Sequence, residues 1–429
     1  MPSTATAVTT TGQAGAGRDT QPNEVRALSA LAFDELRGFP GAIRDMHLGI
    51  AERAFRGVGP AALPAKLVHD AIASRAYGAI GAGASGLGRA LDGVLERHGI
   101  GEGVALSSTE KGSFGIAVLN GLIGDRLERE GSALAQPTSV RIRGERVELD
   151  ARALRDAFPQ ATPRLAVFIH GLTGDEFCWH WGAGEPYGSR LASDLGCTPV
   201  YLRYNSGLHI SENGRMVAAL LGELVEAWPV EVQQIALVGH SMGGLVARSA
   251  AHQAHERGRT WVGHVGHVVS LGTPHLGAPL EQGVHRAAVA LEKLPETRML
   301  SGFLKKRSAG IRDLRHGSLV DEDWRGRDPE ALRAVACREV PLLAWATHCF
   351  VSATITRDPR HPLGRLLGDM LVLKPSASGR GGTRRIPFRD EHGHHVGGTH
   401  HLALLNHPEV YERLHGWLAA APRALAAHV

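Results

Sequence analysis

At 429 residues the chain has room for two or three average domains, or for one large α/β domain with additions. Hydrophobic residues at 43% and charged residues at 21% are ordinary for a soluble globular protein. The formal net charge of +4, spread without a block of like charge, argues against a nucleic-acid partner or an anionic membrane surface, because basic footprints cluster.

The first 24 residues, "MPSTATAVTTTGQAGAGRDTQPNE", have no basic stretch followed by an apolar core, so they do not read as a secretory signal. They are small and polar, and a disordered tail is expected over 1–24. No apolar run reaches membrane-spanning length. Cys178, Cys197, Cys337 and Cys349 are scattered without C-x-x-C spacing, the pattern of a reduced chain with neither a disulfide framework nor a zinc site. The expectation is a soluble, cytoplasmic protein.

Residues 25–130 read as a helical N-terminal region, with apolar residues at three- and four-residue spacing in "NEVRALSALAFDELRG" and "PAKLVHDAIASRAYGAI". The glycine-rich "GAIGAGASGLGRAL" follows a helical pattern instead of a strand, which argues against a phosphate-binding loop. Close helix packing or a flexible connection is the simpler reading. Peripheral membrane contact is open, but the polar face is not rich in Lys or Arg.

From 131 to 420 the pattern changes. "TSVRIRGERVELD" alternates like a hairpin turning at "RGE". Short apolar runs then alternate with helical stretches: "RLAVFIHG", "TPVYLRYNS", "QIALVGHS", "HVVSLGTP" and "HCFVSATI". Strands apolar on both faces, alternating with helices, predict an α/β fold with a mostly parallel sheet covered on both sides. An insertion of about 279–338 interrupts this pattern, and 421–429 reads as a C-terminal tail.

The run "QIALVGHSMGGLVARSAAHQA" contains Gly239-His240-Ser241-Met242-Gly243, a G-x-S-x-G match. Chance alone gives roughly 0.3 such matches in so glycine-rich a chain, so context must decide. An apolar strand leads in and a helical pattern leads out, which is the context of a nucleophile elbow. Ser241 is therefore the candidate nucleophile, with His240 and Gly243 supporting the turn. The N–H of Met242 is one candidate oxyanion donor. "VFIHGLTGDEFCW" supplies the other at Leu172, and Gly171 allows close approach to the substrate. His170 precedes the serine and is read as holding that loop by a hydrogen bond, not as the base.

Together "HGLTGDEFCW", "TPVYLRYNSGLHISENG", "VGHSMGGLVARSA" and "LGTPHLGAPLE" resemble bacterial α/β-hydrolase esterases and lipases, in particular the group similar to GPI inositol-deacylases and triacylglycerol lipases. The resemblance spans about Pro163 to Leu418. It implies an α/β-hydrolase fold, a Ser-Asp-His triad, a small-molecule or lipid ester as substrate, and no cofactor or metal.

Chain order in this fold is serine, acid, histidine. Beyond "HCFVSATI" the acids are Asp358, Asp369, Asp390 and Glu391. Asp369, in "GRLLGDMLVLKPSASG", resembles the family's G-D-G-L-V segment, with Met370 in place of the second glycine. "GGTHHLALLNH" carries three histidines, and His401, directly before the apolar "LALL", matches the family's catalytic histidine. His400 is displaced by one place and His407 lies inside a helical pattern. "EHGHHVGG" lacks ordered metal-ligand spacing and reads as a loop near the site. The insertion, with "HRAAVALEKL" and "ETRMLSGFLKK", is expected to form a lid over an acyl pocket, with a packing or dimerisation element as the alternative. An acyltransferase on the same triad, a peptidase or amidase, and a non-catalytic binding protein of the same fold remain alternatives. Oligomeric state is not legible.

Overall fold

The structure, a computed structural model, describes residues 24, 27–28, 105–182, 184–278, 307–328, 337–381 and 384–420. The expected tails apart from Glu24, most of the helical region 25–130, and residues 279–306 and 329–336 of the insertion lie outside them.

Helix α1 (Glu110–Arg129) begins at Thr109, whose side chain accepts a hydrogen bond from Gly112 N and so satisfies one orphan donor of the first turn. The hairpin follows as β1 (Ser139–Ile142) and β2 (Glu145–Val147), turning through Arg143 and Gly144 at φ of 51° and 90°. Positive φ at both turn residues gives the twist that tight hairpins need. Helix α2 (Ala151–Ala157) is capped by Asp150, whose carboxylate accepts from Arg152 N and Ala153 N.

Five of the apolar runs become β3 (Arg164–Ile169), β4 (Thr198–Arg203), β5 (Gln234–His240), β6 (Val265–Leu271) and β7 (Thr347–Thr354). A last strand, β8 (Gly393–Gly397), completes an eight-stranded sheet of order β2-β1-β4-β3-β5-β6-β7-β8. β1 pairs antiparallel with β2 and β4, and every pairing from β4 through β3 to β8 is parallel. β8 departs from the reading of "EHGHHVGG" as a loop. Two glycines and two histidines in five residues carry no strand pattern of their own. Pairing of Phe350 to Thr354 with Gly393 to Gly397 supplies what the local sequence lacks.

Helices cover both faces. They are α3 (Tyr187–Leu195), α4 (Ile210–Ala227), α5 (Met242–Glu256), α6 (Ala309–Leu314), α7 (Pro362–Leu367), α8 (Lys374–Ala377) and α9 (Pro408–Ala419). Alternate strand residues feed two cores. Leu165, Val167, Ile169, Ile235 and Leu237 pack with Leu221 and Leu224 of α4 and Leu245 of α5. Ala166, Phe168, Ala236 and Val238 pack with Leu191 of α3 and Val410 and Leu414 of α9. That double burial is why these runs are apolar throughout, and each large side chain so buried contributes about 1.5–3 kcal/mol. This is the α/β-hydrolase arrangement, with its strand ends aimed at one rim.

The described part of the insertion, 307–328, packs into the body. Asp313 accepts from Ile210 N at 2.8 Å and pairs with His209 Nδ1 at 3.1 Å. Ser249 Oγ donates to Leu319 O at 2.6 Å. Among the described residues no helix is long and apolar enough to cross a membrane.

Candidate active site

β5 ends at His240, and the chain reverses through Ser241 into α5. Ser241 has φ 53° and ψ −123°, a conformation that costs a residue with a side chain. From Ile235 to Ala254 it is the one residue that is not buried. The glycines of the motif are required by proximity. A Cβ on Gly243 would fall inside contact distance of the Ile169 carbonyl, and one on Gly239 would lie 2.5 Å from the Gly243 carbonyl carbon. Met242 N is the first N–H of α5, where no carbonyl four residues back can accept it within the helix.

The loop after β3 lies against this elbow. A Cβ on Gly171 would sit 3.0 Å from the Ser241 Cβ, so glycine sets how closely the loop approaches. His170 is fully buried and stacks on Tyr204 with ring centroids 4.2 Å apart. Tyr204 N donates to His170 Nε2 at 3.2 Å, which makes Nδ1 the protonated nitrogen, and Nδ1 donates to Gly171 O at 2.9 Å. Burial pushes His170 down to about 4, so the ring is neutral at physiological pH. Leu172, half-buried, follows on this loop.

The acid and the imidazole arrive on two further loops. Asp369 is fully buried, and its Oδ2 accepts from His401 Nδ1 at 2.8 Å. Its Oδ1 accepts from Leu371 N at 3.0 Å and Val372 N at 2.8 Å, and its own carbonyl accepts from His401 N at 3.0 Å. The carboxylate is thus held on both oxygens. His401 is 3% exposed, and its Nε2 is buried without a hydrogen-bond partner. His240 Nε2 lies 3.2 Å from His401 O, with the rings 4.7 Å apart. Ser241 N donates to Leu271 O, and the next residue, Gly272, approaches so closely that a Cβ there would lie 3.1 Å from His401 Nδ1. Both sides of the elbow therefore touch the His401 ring or backbone.

The remaining candidates are placed elsewhere. Asp358 is exposed and pairs with Arg360 at 3.3 Å. Asp390 pairs with Arg380 at the surface, and Glu391 with Arg389. His400 is exposed. His407 stands just before α9 without a side-chain capping bond, its Nε2 lying 3.4 Å from Thr399 Oγ1. In "EHGHHVGG", His394 turns to Glu409 and His395 to Ser352 and Thr354, in opposite directions from β8. Among the described residues no group of three or more His, Cys, Asp or Glu could hold a metal ion. The four cysteines are buried and unbridged. A groove of about 490 Å³ beside β8, bordered by Phe350, Lys374 and His395, takes in Asp390 but not Ser241, Asp369, His401, Leu172 or Met242.

Sequence reasoning missed Gly272 as a neighbour of the imidazole, and it named His240 only as support for the turn. Gly272 could have been found from "SLGTP", a glycine ending a buried strand. The contact of His240 with the His401 carbonyl crosses 161 residues of chain and leaves no local signal.

Residues 206–328 match the family described as PGAP1-like alpha/beta domain. No curated protein matches the chain. Among solved structures, the mature lipase BlEst2 of Bacillus licheniformis is 18% identical with a TM-score of 0.38, covering 60% of this chain and 92% of its own. An esterase of Pyrobaculum calidifontis is 17% identical with a TM-score of 0.33, covering 60% and 75% respectively. A NocB thioesterase domain in covalent complex with a fluorophosphonate nocardicin G analog is 17% identical with a TM-score of 0.31, covering 61% and 97%. The chain resembles bacterial α/β-hydrolase esterases and lipases.

Proposed function

We propose that the chain is a serine hydrolase of carboxylic esters, acting through Ser241, His401 and Asp369 by way of an acyl-enzyme. One observation carries this reading. A buried imidazole is fixed by a carboxylate through Nδ1 and left without a partner at Nε2, and its backbone carbonyl meets His240, the residue that leads into a serine held in a strained elbow. Buried polar nitrogens are normally satisfied, so an orphaned Nε2 calls for a use.

The chemistry follows from the proton inventory. With Nδ1 donating to Asp369, Nε2 carries the lone pair and takes the proton from Ser241 Oγ as the oxygen attacks the acyl carbon. The carbonyl oxygen becomes an oxyanion, which accepts from the N–H groups of Leu172 and Met242, each donor being worth on the order of 3 kcal/mol. His401 then gives its proton to the leaving alcohol. Water, deprotonated by the same Nε2, attacks the acyl-enzyme and frees the acid. No step asks for a cofactor. Each methylene of the acyl chain that binding buries should contribute about 0.8 kcal/mol, so activity should rise with acyl length over the shorter esters.

The test is labelling of the purified chain with a fluorophosphonate probe, together with turnover of acetyl, butyryl, octanoyl and palmitoyl esters. Stoichiometric labelling at Ser241, lost in Ser241→Ala together with ester turnover, is the expected result. A folded Ser241→Ala variant that keeps more than about a tenth of wild-type turnover would refute the assignment.

A further inference from the structure

The loop that carries the second oxyanion donor is seated on α1, a helix that the sequence assigns to the region before the sheet. Thr173, next to Leu172, has φ 59°. This is the left-handed region, where a β-branched residue is rare and persists only if its surroundings impose it. Three contacts impose it here. From below, Gly121 of α1 approaches so closely that a Cβ on it would overlap Thr173 Cγ2 and lie 3.0 Å from Thr173 N and 3.2 Å from its Cα. From the side, Thr173 N donates to Ser206 Oγ at 3.1 Å. Two residues further on, the buried Asp175 accepts from Ser113 Oγ of α1 at 2.6 Å, while its other oxygen accepts from Phe177 N at 3.0 Å.

Ser113, Ala117 and Gly121 are buried at spacings that put them on one face of α1, Gly124 follows beyond a kink at Ile123, and this part of the helix meets more than the oxyanion loop. Asn205, in the loop after β4, donates to Gly124 O at 2.9 Å, and Ser308, entering α6, donates to Gly121 O at 2.6 Å. The helix thus touches the oxyanion loop, the loop that supplies Ser206, and the near end of the insertion.

We propose that α1 is the seat of the oxyanion hole, with Gly121 and Ser113 as positioning residues that set where the Leu172 N–H points. This rests on the reading of Leu172 as an oxyanion donor. An N–H displaced by about 1 Å no longer meets the oxyanion, and misplacements of that size cost up to about a hundredfold in turnover. Substrate binding in the ground state is little affected, because the donor strengthens only as charge develops.

The experiment is a double-mutant cycle on the full chain, read as kcat and KM on a butyryl ester. Gly121→Ala should lower kcat between about tenfold and a hundredfold with KM within about twofold. In the Thr173→Gly background, which removes the Cγ2 overlap and suits the φ but leaves the close approach to the backbone, the same change should cost at least about threefold less than in the wild-type background. Ser113→Ala adds no atom and removes only the hydroxyl at Asp175, so it tests the other anchor if Gly121→Ala does not fold. It should lower kcat severalfold at unchanged KM. An unchanged kcat in folded Gly121→Ala or Ser113→Ala overturns the proposal, as does an equal loss in both Thr173 backgrounds. A wild-type chain that neither labels at Ser241 nor turns over any ester overturns the hydrolase reading instead, and this proposal falls with it.

Discussion

Replacing Asp369 by asparagine isolates one question, which nitrogen of His401 carries the proton. The amide is nearly isosteric, so the buried site keeps its volume, and the change is one of hydrogen-bond polarity alone. The substituted amide has two orientations. In the first, its oxygen stays on Leu371 N and Val372 N, which now reach Asp369 Oδ1 at 3.0 and 2.8 Å, and its NH2 faces His401. In the second, its oxygen faces His401 and its NH2 faces those two N–H groups. The second leaves the buried Val372 N–H without an acceptor, at about 2 kcal/mol, and the part-buried Leu371 N–H with it. The first orientation therefore wins, and an NH2 facing Nδ1 makes Nδ1 an acceptor. The proton moves to Nε2, where it blocks removal of the serine proton. The expected loss is on the order of 10⁴ in kcat, or about 5 kcal/mol of barrier, with KM little changed. Steady-state hydrolysis of a butyryl ester at neutral pH by the purified variant measures it, and thermal unfolding checks the fold. A folded Asp369→Asn variant with more than about a tenth of wild-type turnover would mean that Asp369 does not orient the base.

Two further outcomes follow from burial and from charge. His401→Ala should be as damaging as Ser241→Ala, whereas the exposed His400 should tolerate alanine within about threefold, and Asp358→Asn and Asp390→Asn should be equally mild. A dead His400 variant beside an active His401 variant would move the base by one residue. The fold should also be acid-labile. Burial lowers His170 and His267 to about 4 and His348 to about 3, from an ordinary 6.5. These are depressed folded-state values, so their contribution is complete above pH 6.5 and is lost as pH falls toward 4, each at on the order of 3 kcal/mol. Asp175, raised by burial to about 6, works the other way as pH falls from about 6 toward 3.8, but it is one group against three. A urea midpoint at about pH 5 equal to that at neutral pH would contradict this balance.

What the sequence made legible was what repeats locally. Runs apolar on both faces announced β3 to β7, because a covered parallel sheet demands such runs. Gly239 to Gly243 announced the elbow, because the steric need for glycine is met within five residues. The resemblance put His401 rather than His400 in register with "LALL", and the structure buries the first and exposes the second. β8 stayed hidden because its strand character comes from β7 and not from its own residues. The seat of the oxyanion loop stayed hidden for a related reason. Gly121 reads as one more glycine in a helical stretch, and nothing near it in sequence says that Thr173 will lie on top of it.

The strained residues show how such distant pieces are held to one geometry. Among the described residues, four that are not glycine have positive φ: Arg143, Thr173, Ser241 and Met370. Arg143 turns the hairpin. The other three lie on three different loops, beside Leu172, at Ser241 itself and next to Asp369, the proposed oxyanion donor, nucleophile and acid. Met370, at φ 91°, stands where the resembled family places glycine, so the chain keeps the glycine-type backbone and bears the strain of a side chain there. Each such conformation costs on the order of 1–3 kcal/mol and would relax if the loop were free. None is free. Ser241 is tied by its N–H to Leu271 O, Thr173 to Ser206 and α1, and Met370 by its N–H to Leu367 O and by the two bonds that its neighbours give to Asp369. A sheet with two buried faces can hold loops in such states because letting them relax would break contacts worth more than the strain.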